Sequence, residues 1–170
     1  MTDIPEKFSA KEFDDFLNAM NIAFYWSVCI PLLLFVFICL ELGTKGGISP
    51  SFENDDAVWH PFVAAATVMI SLPGFLIYKH KLKNLFKDLP LTTKLNAFKS
   101  AAFKKYFFLF LAAGLANLCL YIFQEQLFLL AFAVVLVMFS INRPTVYRLK
   151  KDLPLSDEER VSITEYRKYL

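Results

Sequence analysis

Two histidines, three cysteines and five glycines are all that the chain holds of the residues that build metal sites, disulfides and flexible loops. Cys29, Cys39 and Cys119 all lie in apolar runs, and no two form a C-x-x-C pair. They read as small apolar packing residues. His60 and His80 sit at opposite ends of one apolar stretch, about 30 Å apart by helix rise, so they cannot act together. Asp55 and Asp56 lie close to His60 in sequence, but a metal site needs more ligands than this. Scarce glycine also excludes a low-complexity chain. No G-x-S-x-G, H-E-x-x-H, P-loop or dinucleotide-binding pattern occurs. The sequence therefore leads us to expect no enzyme, no cofactor and no metal.

Charge is almost missing from four long stretches (Glu41, at the outer end of the first, is the exception), and these carry the main signal. Hydrophobic residues make up 56% of the chain, and phenylalanine alone accounts for 19 positions. A bilayer core about 30 Å thick needs roughly 20 apolar residues in a helix. Ile22–Leu42, Ala57–Tyr78, Tyr106–Gln124 and Leu127–Ile141 are the expected spans. Their continuous apolar runs lack the alternation of barrel strands, and lipid leaves no other solvent for backbone polar groups. The expected fold is all-α, a polytopic membrane protein of four transmembrane helices with cytoplasmic helical extensions.

Orientation follows from the bases. Of the 18 Lys and Arg residues, 17 fall on one side of this arrangement. Eight lysines crowd the loop between the second and third spans. Arg143, Arg148, Lys150, Lys151, Arg160, Arg167 and Lys168 follow the fourth. The opposite side has only Lys45, beside Glu53, Asp55 and Asp56. The positive-inside rule makes the basic side cytoplasmic, with both termini there. Tyr25, Trp26, Tyr78 and Tyr106 at that side, and Trp59 and Tyr121 at the other, fit an interfacial aromatic belt. The expected location is a bacterial cytoplasmic membrane.

Four segments follow along the chain: a cytoplasmic amphipathic helix (1–21), a first hairpin with its elbow (22–91), a second hairpin with a helical lead-in and elbow (92–155), and a short cytoplasmic helix (156–170). Ser9-Ala10-Lys11-Glu12 is a capping box, with Phe8 and Phe13 as a hydrophobic staple. Phe13, Phe16, Leu17 and Met20 recur at helical spacing. The stripe is expected to pack on another helix, because Asp14 and Asp15 would be repelled by anionic lipid. Pro31 and Pro73-Gly74 predict kinks. Gln124-Glu125-Gln126 is the whole outer turn between the last two spans.

An internal repeat stands out. Lys87-Asp88-Leu89-Pro90-Leu91 recurs as Lys151-Asp152-Leu153-Pro154-Leu155. Each copy follows a span that ends on the basic side, and each precedes a helix start. Thr92 is the expected cap of one, and Ser156-Asp157-Glu158-Glu159 is a capping box for the other. A good helix break and cap used twice would explain the proline, but not the identical Lys-Asp-Leu before it. Duplication into two parallel hairpins explains both. Lys87, Asp88, Pro90, Lys151, Asp152 and Pro154 are the candidate contacts for a partner or lipid.

Inside the spans the candidates are helix contacts. Asn117 is the polar group most costly to leave unpaired, and an interhelical hydrogen bond is its expected role. Ala112, Gly114 and Ala116 form a small-residue patch where helices can approach closely. No ionisable group lies near a midplane, which counts against an ion-coupled carrier. The leading expectation is a non-enzymatic membrane subunit or accessory factor of a larger complex, with other membrane subunits as partners. Anionic lipid is expected against the lysine loop, and no nucleic acid. The alternatives are a homo-oligomeric pore or membrane effector, an immunity or exclusion protein, and a small transporter. In outline (size, four spans, termini inside, no catalytic groups) the chain resembles the immunity proteins of pore-forming colicins. No residue motif carries that resemblance, so no sites transfer.

Overall fold

The computed structural model describes residues 10–44, 46–48, 59–85 and 89–168, and every regular element among them is a helix. The capping box at Ser9 and the staple at Phe8 begin outside these residues. So do Lys87 and Asp88 of the first elbow, and the acids Glu53, Asp55 and Asp56 of the outer loop.

The first helix, α1 (Ala10–Thr44), runs unbroken from the amphipathic lead-in through Pro31, where a kink was expected. Proline removes the N–H that would meet the Ser27 carbonyl one turn earlier. Separately, the hydroxyl of Ser27 donates to the Ala23 carbonyl at 2.7 Å. Next come α2 (His60–Met69) and α3 (Leu72–Lys83), one apolar stretch interrupted at Ile70–Ser71. Pro73 has no N–H for the carbonyl of Met69, and Ser71 Oγ caps the break by donating to the Val68 carbonyl at 2.7 Å.

After the elbow comes α4 (Leu91–Phe123), 33 residues and so about 50 Å long. Pro90 is its N-cap, in extended conformation and with no side-chain cap, so Thr92 lies inside the first turn and does not cap it. A two-residue link, with Gln124 at φ 55°, reverses the chain into α5 (Gln126–Ile141). Pro144 stops α5, because the residue before a proline is pushed out of the α region. Asn142 terminates it, and its Nδ2 donates to the Met138 carbonyl at 2.7 Å. The chain leaves at 81° as α6 (Val146–Asp152), capped by Thr145. The last helix, α7 (Asp157–Lys168), starts with the expected box. Glu159 N–H donates to Ser156 Oγ at 3.3 Å, and Ser156 N–H donates to Glu159 Oε2 at 2.7 Å.

Among the described residues, three helical stretches are long and apolar enough to cross a bilayer: Lys11–Thr44, His60–Lys83 and Leu91–Phe123. These are the lengths and compositions of an integral membrane protein. The fourth expected span falls on α5, whose 16 residues rise about 24 Å before the sharp turn into α6. Alone, α5 is shorter than a bilayer core.

Helix α4 is the centre. Helices α1, α2, α3 and α5 all lie against it, and α2 also meets α5. Neither α2 nor α3 is a main neighbour of α1, although Ile38 and Leu42 of α1 share a core cluster with Ala64 of α2. The buried residues of α4 form a stripe two residues wide: Leu95, Phe98, Ala101–Ala102, Leu109, Ala112–Ala113, Ala116–Asn117 and Leu120. Steps of three and four keep it on one face. Aromatic pairs bridge α1 and α5: Phe35 stacks on Phe132 at 4.4 Å, and Phe24 meets Phe139 at 6.2 Å. The α1 stripe is buried too. Phe13, Phe16 and Met20 share one core with Leu95 and Phe98 of α4, Leu149 of α6 and Ile163 of α7. Large apolar side chains such as Leu33, Phe37, Phe62, Leu76 and Leu130 face outward along the spans, the surface that lipid covers.

Candidate functional site

The buried stripe on α4 also takes in two lysines in its basic half, Lys94 at its start and Lys105 between Ala102 and Leu109. Lys94 and Lys105 occupy core-facing positions and are 0% and 1% exposed. A buried charge needs close partners; Lys94 has a carboxylate, whereas Lys105 has an amide oxygen and aromatic rings. Lys94 Nζ donates to both carboxylate oxygens of Glu159, at 2.9 and 2.8 Å, tying α4 to α7. Lys105 Nζ lies 4.0 Å from the ring centre of Tyr78 and 5.4 Å from that of Tyr106, and donates to Asn142 Oδ1 at 3.4 Å. Ammonium over an aromatic face is an electrostatic attraction that strengthens when water is excluded.

The same tyrosines reach the elbow. Tyr78 OH donates to Asp152 Oδ2 at 2.5 Å, and Tyr106 OH to the Asn142 carbonyl at 3.2 Å. Arg148 Nε stands 3.6 Å from Asp152 on the same short helix. The result is a polar seam in two parts along the basic end of α4: Lys94 with Glu159 of α7, and, about three turns on, Lys105 and Tyr106 with Tyr78 of α3, Asn142 of the α5–α6 bend and Asp152 of α6. Together with the buried Leu149, Leu153, Leu155 and Ile163, the seam joins α6 and α7 to the bundle. Tyr78 and Tyr106, expected as lipid-facing anchors, are 6% and 2% exposed. Tyr25, Trp26, Trp59 and Tyr121 remain exposed, as an interfacial belt requires.

Close approach of α3 to α4 makes the seam possible. A Cβ at Gly74 would meet Phe108 Cβ at 2.9 Å and Lys105 Cα at 3.1 Å. Beside Pro73, Gly74 reads in the sequence as half of a kink signal; its part in the fold is to let two backbones touch beside Lys105. Gly114 is different: a Cβ there would meet nothing within 4 Å. Ala112 and Ala116 are wholly buried on the face that meets the other helices.

Asn117 Nδ2 donates to the Pro31 carbonyl at 2.8 Å, joining α4 to α1. Its Oδ1 is buried without a hydrogen-bond partner. Asn117→Ala is expected to lower the free energy of unfolding by about 1 kcal/mol, the usual size of such a bond between membrane helices. A thermal melt that matches wild type would show that the bond adds nothing.

In the second elbow, Leu153 and Leu155 are buried, Lys151 is exposed, Pro154 is half-buried and Asp152 belongs to the seam. In the first, Pro90 is the exposed N-cap of α4. At the opposite end of the bundle, His60 Nδ1 lies 2.5 Å from Glu125 Oε1, with Phe123 at 4.5 Å from the imidazole. That pair ties the start of α2 to the α4–α5 link. Among the described residues, no three of His, Cys, Asp and Glu gather as a metal site would. Comparison with known protein families, curated proteins and solved structures finds no match.

Proposed function

We propose that the chain is a non-enzymatic integral membrane subunit or accessory factor that presents a rigid cytoplasmic layer to other membrane protein subunits. In this reading α5 is the fourth span, both termini lie in the cytoplasm, and the apolar segments are successive hairpins, each closed by a Lys-Asp-Leu-Pro-Leu elbow. The observation that carries the reading is the buried seam. It fixes α6 and α7 to the bundle through Lys94–Glu159 and Tyr78–Asp152. A chain that needed only to sit in lipid would have little use for two lysines out of water.

The filled interior supports a subunit over a conduit. Phe128, Phe132, Val135 and Phe139 are essentially unexposed between the helices. A pore built from this chain would run between copies rather than through one.

The decisive experiment is gentle detergent extraction from the native source with crosslinking. A defined set of membrane partners is the expected outcome; a chain that migrates alone and crosslinks to nothing would end the proposal. A reporter fused to the C-terminus should read as cytoplasmic. A reporter on the other face would overturn the four-span placement.

A further inference from the structure

The bend between α5 and α6 opens a groove of about 400 Å³ at the basic end of the bundle. Arg143, Arg148 and Lys151 line it, with Ser140, Thr145 and Tyr147 between them. Two of the cations are held in place. Arg148 Nη1 donates to the Ile141 carbonyl, one of those that a helix end leaves without an internal partner. Its Nε faces Asp152. Arg143 Nη2 donates to Tyr25 OH at 2.9 Å, which fixes it against α1. Asp152 is the acid of the groove, and it already accepts from Tyr78. Three bases therefore surround the opening, against one carboxylate that is engaged elsewhere.

The groove does not stop at polar groups. Directly along α5, Val137 and Ile141 are 57% and 67% exposed, and Tyr147 beside them is 75% exposed. A cationic opening that continues into an apolar helix face matches a molecule with an anionic head and a hydrocarbon tail. We propose that this groove binds the phosphate of an anionic lipid headgroup, with the acyl chains along α5. Guanidinium groups suit that ligand, since their planar donors match phosphate oxygens in pairs. Inorganic phosphate shares the headgroup chemistry, but it would make no use of the apolar flank. The site differs from the diffuse lysine loop, because its cations come from one bend and two are positioned by named acceptors. The inference rests on the placement of α5 in the bilayer proposed above.

The test uses the full chain in mild detergent, titrated separately with phosphatidylglycerol, phosphatidylcholine and inorganic phosphate. Bound lipid is read by native mass spectrometry and by thermal shift. Phosphatidylglycerol should bind at least about tenfold more tightly than phosphatidylcholine, and phosphate should give no comparable shift. The variant R143Q/K151Q spares Arg148 and should bind phosphatidylglycerol about 25-fold more weakly, at about fivefold per base. K79Q/K83Q removes the same charge from exposed positions on α3 and should weaken binding clearly less than R143Q/K151Q does. If R143Q/K151Q is not monodisperse, K151Q alone is titrated, with about a fivefold loss expected. Equal losses in the two double variants would reduce the site to general surface charge and overturn the proposal. So would protection by phosphate equal to that by lipid, or an absence of lipid selectivity. The C-terminal reporter reads the placement of α5 independently, so a cytoplasmic reporter with no selective lipid binding condemns the groove alone.

Discussion

Gly74→Leu should prevent the bundle from closing. A Cβ alone at this position would stand 2.9 Å from Phe108 Cβ and 3.1 Å from Lys105 Cα, and the second of these is backbone. Neither neighbour is the far end of a flexible side chain, so relief requires α3 to move away from α4. That movement would carry Tyr78 from Lys105 and Asp152. Overpacking of a filled core costs about 1–3 kcal/mol where neighbours can adjust; here the disrupted seam adds to it. Gly74→Leu is expected to elute as aggregate in size-exclusion chromatography, and Gly74→Ala to be folded but less stable by about 1–3 kcal/mol. Gly114→Ala is the control. Its Cβ enters open space, and exchanging glycine for alanine inside a helix is worth up to about 1 kcal/mol in its favour. A Gly74→Leu protein that melts with wild type would refute the close approach.

Glu159→Ala is the second large effect. Lys94 is 0% exposed, and Glu159 supplies it with two acceptor oxygens. The same carboxylate also completes the capping box of α7. Loss of one partner from a buried ion pair typically costs about 3–5 kcal/mol, and loss of a cap about 1 kcal/mol. Glu159 is partly exposed, so we expect about 2–4 kcal/mol in total, below the fully buried limit. The effect should be local as well as global: α7 should become a ready target for limited proteolysis while the spans stay protected. Replacement of both partners by apolar residues, Lys94→Met with Glu159→Leu, should recover much of the loss. Destabilisation under about 0.5 kcal/mol for Glu159→Ala would place this pair with ordinary surface contacts.

The sequence was most readable where one residue type carries its own meaning. Charge-free runs marked the apolar helices because a base or acid in lipid is costly wherever it sits. Ser156 and Glu159 announced the start of α7 because both halves of a capping box lie within one turn. The α1 stripe at Phe13, Phe16 and Met20 was visible as periodicity. The seam was not visible, because its partners are far apart in the chain: Tyr78 and Asp152 are 74 residues apart, and Lys94 and Glu159 are 65. In a loop of eight lysines, nothing marks Lys94 and Lys105 as different except their phase. They stand seven residues from Ala101 and Ala112, on the stripe that runs the length of α4. Extending that periodicity past the end of the apolar run would have found both. Gly74 was hidden for another reason. Beside Pro73 it reads as a helix breaker, and only the position of α4 reveals its contact.

Because α4 is the common neighbour of the other membrane-spanning segments, the order in which the chain is made runs against the order in which it can pack. Residues up to Lys83 form two apolar segments that are not main neighbours of each other. Until residues 91–123 emerge, neither has its surface to settle on. The seam must wait longer still, until Asp152 and Glu159 have followed α5. During that interval Lys94 and Lys105 lack those late contacts and can remain in water, so burial of the two amines follows the packing of the spans rather than obstructing its start.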